Sequence, residues 1–176
     1  QLIKTFEPDV FVIGSDYNDT ITGNALDNVI SGEDGDDYIK GEEGHDTIAS
    51  GLGDDEVYGG SGNDVIDAGD GSNIVDSGEG NDIITSGEGN DDINAGSGND
   101  IIDAGDGSNI VDAAEGSDTI NTGNGNDIIT AGEGDDTVTS GAGNDTISAN
   151  SGDDTIDGGD GTDWLDEIFQ TAPIYN

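Results

Sequence analysis

All 32 glycines of this chain fall on one nine-residue grid. From residue 14 to residue 166 the sequence divides into seventeen consecutive nonapeptides, without insertion or deletion, and every glycine occupies the first, second or fourth place of a unit. The eighth place is aliphatic in all seventeen units, from Ile21 and Ile30 to Ile156 and Leu165. The sixth place is Asp in fourteen units and Asn in three, namely Asn28, Asn73 and Asn109. A strict register of this kind describes a solenoid in which each unit does the same structural job and is completed by its neighbours.

The unit itself predicts local structure. In Gly-Gly-Ser-Gly-Asn-Asp-Val-Ile-Asp (59–67) the first six places are turn formers. Glycine there permits positive φ and tight reversal. The last three places suit a short strand with the central side chain turned inward. Residues 59–94 and 95–130 agree at 25 of 36 positions, a longer repeat of four units. Four units make two coils of a two-sided solenoid but no whole number of three-sided coils. The expected fold is therefore an all-β, right-handed parallel β-roll with two short strands per 18-residue coil. Its stacked strands give a rod roughly 40 Å long. Residues 1–13 and 167–176 are expected to be terminal caps or stubs of neighbouring domains, with residues 14–166 forming the roll. The tails supply Leu2, Ile3, Phe6, Val10, Phe11, Val12 and Ile13 at one end and Trp164, Ile168, Phe169, Ile174 and Tyr175 at the other.

Charge narrows the partners. The chain carries 42 acidic residues against two lysines, a formal net charge of −40. Such a field repels nucleic acid and anionic membranes and attracts cations. Cysteine is absent, which removes disulfides and thiolate metal sites. No apolar run approaches the roughly 18–20 residues of a membrane-spanning helix. A start at Gln1, with no signal peptide, reads as a processed piece of a longer protein. Composition alone would suit an acidic disordered segment. The periodic aliphatic joins the two readings: disordered without a counter-charge, folded with one.

A two-sided coil stacks residues 18 apart. One edge then carries Asp19, Asp37, Asp55, Asn73, Asp91, Asn109, Asp127, Asp145 and Asp163; the other carries Asn28, Asp46, Asp64, Asp82, Asp100, Asp118, Asp136 and Asp154. Carboxylates spaced near 5 Å repel, and a divalent ion between them converts repulsion into bonding. The remaining candidate ligands are carbonyls of the glycine-rich turns. The fourth-place glycines Gly35, Gly44, Gly53, Gly62, Gly71, Gly80, Gly89, Gly98, Gly107, Gly116, Gly125, Gly134, Gly143, Gly152 and Gly161 mark those turns. An all-oxygen set without His or Cys clusters suits Ca²⁺, while Mg²⁺ prefers a smaller rigid octahedron and retained water.

Residues 59–67, Ser-Gly-Glu-Gly-Asn-Asp-Ile-Ile-Thr (77–85) and Gly-Gly-Asp-Gly-Thr-Asp-Trp-Leu-Asp (158–166) resemble the RTX, or haemolysin-type calcium-binding, nonapeptide. The resemblance implies a parallel β-roll with Ca²⁺ held between stacked turns by the sixth-place Asp and backbone carbonyls. It also implies a secreted bacterial protein exported by a type I system, unfolded in low calcium and folded outside. Tyr17 and Leu26 depart from the fourth-place Gly, so the first two turns are expected to bind poorly and act as a cap. Of fifteen gaps between stacked turns, ten have Asp on both sides and five touch an Asn, whose oxygen ligates without charge. Asp70 and Asp106 are candidates to compensate there. Roughly 10–15 ions follow from the coil count.

Other features have plainer readings. Acidic residues at the third, fifth and ninth places read as solubilising surface charge, and His45 as a surface residue. The sequons at Asn18 and Asn144 arise from the repeat. No coil is singled out as a carboxylate-pair catalyst, and no Ser-His-Asp set is present, so the segment is expected not to be an enzyme. Outward Ile74, Ile83, Ile101, Ile110 and Ile128 suggest a face for a partner, a surface or self-association. Threonines beside the buried aliphatics raise ice binding, but no continuous Thr face results. The principal reading is a calcium-folded structural module serving secretion and spacing of attached domains. The alternatives are a surface-binding module (adhesin, ice-binding or surface-layer segment) and the tail of a secreted protease, lipase or polysaccharide-modifying enzyme.

Overall fold

The computed structural model describes the backbone of residues 2–4 and all of residues 11–166. Among these residues there is no helix. Each nonapeptide forms a strand at its seventh to ninth places, as in Thr20–Thr22, Ile83–Thr85 and Ile101–Asp103. β-Branched residues are frequent there, and they fit a pleated, half-buried surface. Strands from alternate units pair in parallel with an 18-residue offset, for example Ile83 with Ile101 and Ile84 with Ile102. The nine odd units and Leu2–Lys4 build a ten-stranded sheet, and the eight even units and Phe11–Ile13 a nine-stranded one. The result is a β-solenoid of about nine turns.

The ladders continue upstream of the glycine motif. Leu2–Lys4 pairs with Thr20–Thr22, and Phe11–Ile13 pairs with Val29–Ser31. Val12 enters the core, whereas Phe11 and Ile13 face outward. Trp164 is also an outward residue of its strand, 69 % exposed, rather than a cover over the last coil. Phe6, Val10, Ile168, Phe169, Ile174 and Tyr175 lie outside the described residues.

Two places per unit fill the interior. The eighth-place aliphatics stack from Val12 through Ile147, with Ile156 and Leu165 partly buried at the far end. The first place also turns inward: Ala68, Ala95, Ala104, Ala113, Ala131, Ser50, Ser77, Ser86, Thr122 and Ser140 are buried. Small size is required because the two sheets are joined there by a tight bend. The hydroxyls remain satisfied in this interior. Ser50 Oγ donates to the Ala68 carbonyl at 2.8 Å, and Ser77 Oγ to that of Ala95 at 2.7 Å. The exposed isoleucines divide between two faces: Ile83 and Ile101 lie on the even sheet, while Ile74, Ile110 and Ile128 lie on the odd sheet, with Asp92 between the first two.

Candidate metal sites along the stacked turns

The sixth-place side chains point into the bends and are buried from Asp19 to Asp154. Each is held by its neighbour. The backbone N–H of Asp37 donates to Asp55 Oδ1 at 2.8 Å, that of Asp64 to Asp82 Oδ1 at 2.7 Å, and that of Asp100 to Asp118 Oδ1 at 2.7 Å. The pattern runs along both edges through Asp19–Asp37, Asp46–Asp64, Asp118–Asp136, Asp127–Asp145, Asp136–Asp154 and Asp145–Asp163. Asn73 and Asn109 accept in the same way, from the N–H groups of Asp55 and Asp91, both at 3.0 Å. One carboxylate oxygen per unit is thereby used to tie successive coils.

The other oxygen is the unusual group. Oδ2 of Asp37, Asp46, Asp55, Asp64, Asp82, Asp100, Asp118, Asp127, Asp136, Asp145 and Asp154 is buried without a hydrogen-bond partner. A buried, unpaired carboxylate oxygen is costly, and repetition along a stack multiplies the cost. Burial pushes the Asp100 carboxyl up to about 7, with Asp82 and Asp118 adding repulsion against the opposing N–H bond. Burial likewise raises Asp37, Asp64 and Asp136 to about 6.

Where the first place is glycine, the orphan oxygen faces a cradle. A Cβ placed on Gly32 would lie 2.2 Å from Asp37 Oδ2 and 2.4 Å from the Ser50 carbonyl oxygen of the next coil. At Gly41 the corresponding atoms are Asp46 Oδ2 at 2.2 Å and the Gly59 carbonyl at 2.5 Å; at Gly59 they are Asp64 Oδ2 and the Ser77 carbonyl, both at 2.6 Å. Two oxygens from successive coils thus converge on one point with no proton between them. Among the described residues no three acidic, His or Cys side chains gather at one place. At each of these three cradles one carboxylate oxygen meets a backbone carbonyl of the next coil.

The fourth-place glycines bring the turns into contact. Gly89 has φ 146°, and a Cβ there would lie 1.7 Å from the Gly71 carbonyl oxygen. No L side chain fits that stack. Tyr17 and Leu26 open the two ladders and stand exposed below Gly35 and Gly44. From the third unit onward the second place takes left-handed backbone too: among the described residues, the four non-glycine residues with positive φ (Glu33, Glu42, Ala114 and Asn150) occupy it.

The fifth place has a structural role beyond surface charge. Its side chains accept the backbone N–H of the following coil: Asp27 from His45, His45 Nδ1 from Asn63, Asn63 from Asn81, Asn81 from Asn99, and Asn99 from Ser117, at 2.7–2.9 Å. His45 is exposed but belongs to this ladder. Fifth and sixth places therefore stitch the coils in opposite directions. Asp70 and Asp106 point outward and accept from Glu88 N–H and Asn124 N–H, so they do not reach the neighbouring asparagines' cradles.

The RTX calcium-binding nonapeptide repeat pattern matches residues 13–48, 50–84, 85–120, 112–147 and 139–166. The chain belongs to the RTX calcium-binding repeat family. Its calcium-binding character is thereby established, and the cradles fit an oxygen-seeking ion. No curated protein matches the chain.

Proposed function

We propose that this RTX module folds on binding calcium and serves as a structural, secretion-linked segment of an exported bacterial protein. The observation that carries this reading is the series of buried, unpaired Oδ2 atoms, which at Gly32, Gly41 and Gly59 converge with a carbonyl of the next coil. Ca²⁺ would be held by the sixth-place Asp residues and turn carbonyls and would supply the missing positive charge between coils. Hard oxygen ligands and adaptable coordination favour Ca²⁺ over Mg²⁺. Because the ligands converge only in the folded stack, binding energy becomes folding energy. A low-calcium cell interior then keeps the chain extended and transportable, and calcium outside closes the roll into a spacer for attached domains. The segment itself is not catalytic on this reading. Native mass spectrometry in calcium tests it: a folded chain carrying several Ca²⁺ ions supports the proposal, and a folded chain with none contradicts it.

One observation favours a second role. The seventh-place column of the even sheet reads Phe11, Val29, Thr47, Val65, Ile83, Ile101, Thr119, Thr137 and Thr155, without a charge in a chain of −40. A charge-free column of this kind suits adsorption to an ordered surface such as ice or a surface layer. Substituting Ile83 and Ile101 with Lys leaves calcium uptake intact and abolishes adsorption if this role holds; unchanged adsorption removes it.

A further inference from the structure

Of the buried sixth-place side chains from Asp37 to Asp154, three on one edge escape the general pattern of an orphan oxygen: Asn73, Asp91 and Asn109. They are consecutive rungs, 18 residues apart. We infer that this middle stretch of the odd edge holds its coils together without metal and takes no calcium. The inference rests on the calcium reading of the remaining rungs.

At Asn109 the amide oxygen is engaged by the Asp91 N–H, which leaves the nitrogen facing inward. Nδ2 then donates toward the carbonyls of Ala104 at 3.4 Å, Gly105 at 3.3 Å and Thr122, in the next coil, at 3.4 Å. At Asn73 the oxygen accepts from the Asp55 N–H, and Nδ2 donates to the Gly69 carbonyl at 3.2 Å. The amide hydrogens stand where a cation would stand and satisfy carbonyls that a cation would draw on. An ion placed there would lose the carboxylate charge and meet N–H dipoles of its own sign.

Asp91 reaches the same end by another route. Ser86 Oγ lies 2.8 Å from Asp91 Oδ2 and 2.9 Å from the Ala104 carbonyl, bridging the two oxygens that flank an open cradle at Gly32. The hydroxyl fills the position. Across the roll at the same height, Asp64, Asp82, Asp100 and Asp118 each keep a bare Oδ2. Metal demand is therefore one-sided in mid-rod. The satisfied edge asks for no ion of its own, and the roll closes when calcium reaches the opposite edge. Asn28 opens the even ladder differently, with Nδ2 donating to the Asn24 and Leu26 carbonyls and to Asp46 Oδ1.

Crystals of the full chain grown with calcium and then exchanged with terbium test the assignment. Anomalous peaks are expected beside Asp64, Asp82, Asp100 and Asp118 and absent beside Asn73, Asp91 and Asn109. In native mass spectrometry the double variant Asn73→Asp, Asn109→Asp gains two Ca²⁺ over the unsubstituted chain, and Ser86→Gly gains one. Peaks at the three rungs, or an unchanged ion count in a double variant that folds in calcium, overturn the inference. If that variant does not fold, the peak map of the unsubstituted chain decides. A chain with no bound ion anywhere defeats the calcium reading itself, which separates the two failures.

Discussion

The backbone N–H of Asp100 donates to Asp118 Oδ1 at 2.7 Å, while Asp118 Oδ2 is buried without a partner. One carboxylate therefore does two opposed things. Its first oxygen ties two coils together; its second leaves negative charge where water cannot reach. The balance between them makes the roll conditional on a counter-ion.

The Asp100→Asn substitution should invert with calcium. The amide keeps an oxygen for the Asp82 N–H and replaces the orphan Oδ2 with donors, as Asn109 does. In limiting calcium, where the roll is only partly charged with metal, the variant is expected to be more stable by about 1–2 kcal/mol, the cost of an unsatisfied buried group. In saturating calcium it should be less stable than the unsubstituted chain and carry one ion fewer. Denaturant melts in both conditions check the crossing; the same sign of change in both contradicts it.

Acid should partly replace calcium. The ordinary carboxyl value is 3.8, and burial raises Asp37, Asp64 and Asp136 to about 6 and Asp100 to about 7. Between about pH 4 and pH 7 the folded chain binds more protons than the unfolded one, so metal-free stability falls as pH rises. It is greatest below about pH 4 and lost by about pH 7. Calcium binding then expels protons, so apparent affinity should climb between pH 5 and pH 8. Circular dichroism of the chelated chain across this range tests the sign: strand content that increases with pH contradicts it.

Two backbone substitutions should move in opposite directions. Gly89→Ala puts a Cβ against the Gly71 carbonyl at φ 146° and should cost more than about 2 kcal/mol. Ala114→Gly releases an alanine from φ 68° and should stabilise by up to about 1 kcal/mol. Melting midpoints in saturating calcium read both effects.

The fifth-place ladder can be cut at one rung. Removing the Asn99 side chain by Asn99→Ala orphans the Ser117 N–H, which it accepts at 2.8 Å, and should cost about 1 kcal/mol. His45→Asn keeps an acceptor for the Asn63 N–H and should be close to neutral, whereas His45→Ala should behave like Asn99→Ala.

Strand positions were legible because the eighth-place aliphatic, from Ile21 to Leu165, marks the same phase in every unit. The two-sided coil was legible in the 36-residue likeness between 59–94 and 95–130. The inward turn of the first place was hidden because glycine has no side chain to show direction. Its restriction to Gly, Ala, Ser and Thr was the available signal. The fifth-place ladder was masked because Asn, Asp, Ser and His suit exposed turns equally well. Sequence placed Asn73 and Asn109 on the metal ladder but could not show which amide atom faces inward; the N–H of Asp55 or Asp91 decides that.

Far-UV circular dichroism followed through thermal unfolding, at neutral pH, in millimolar calcium and then after exhaustive chelation, tests the central claim most directly. Cooperative melting of a strand-rich chain in calcium, and loss of that transition without it, is the predicted result. A chelated chain that keeps its strand signal and melts at the same temperature contradicts a roll stapled by metal.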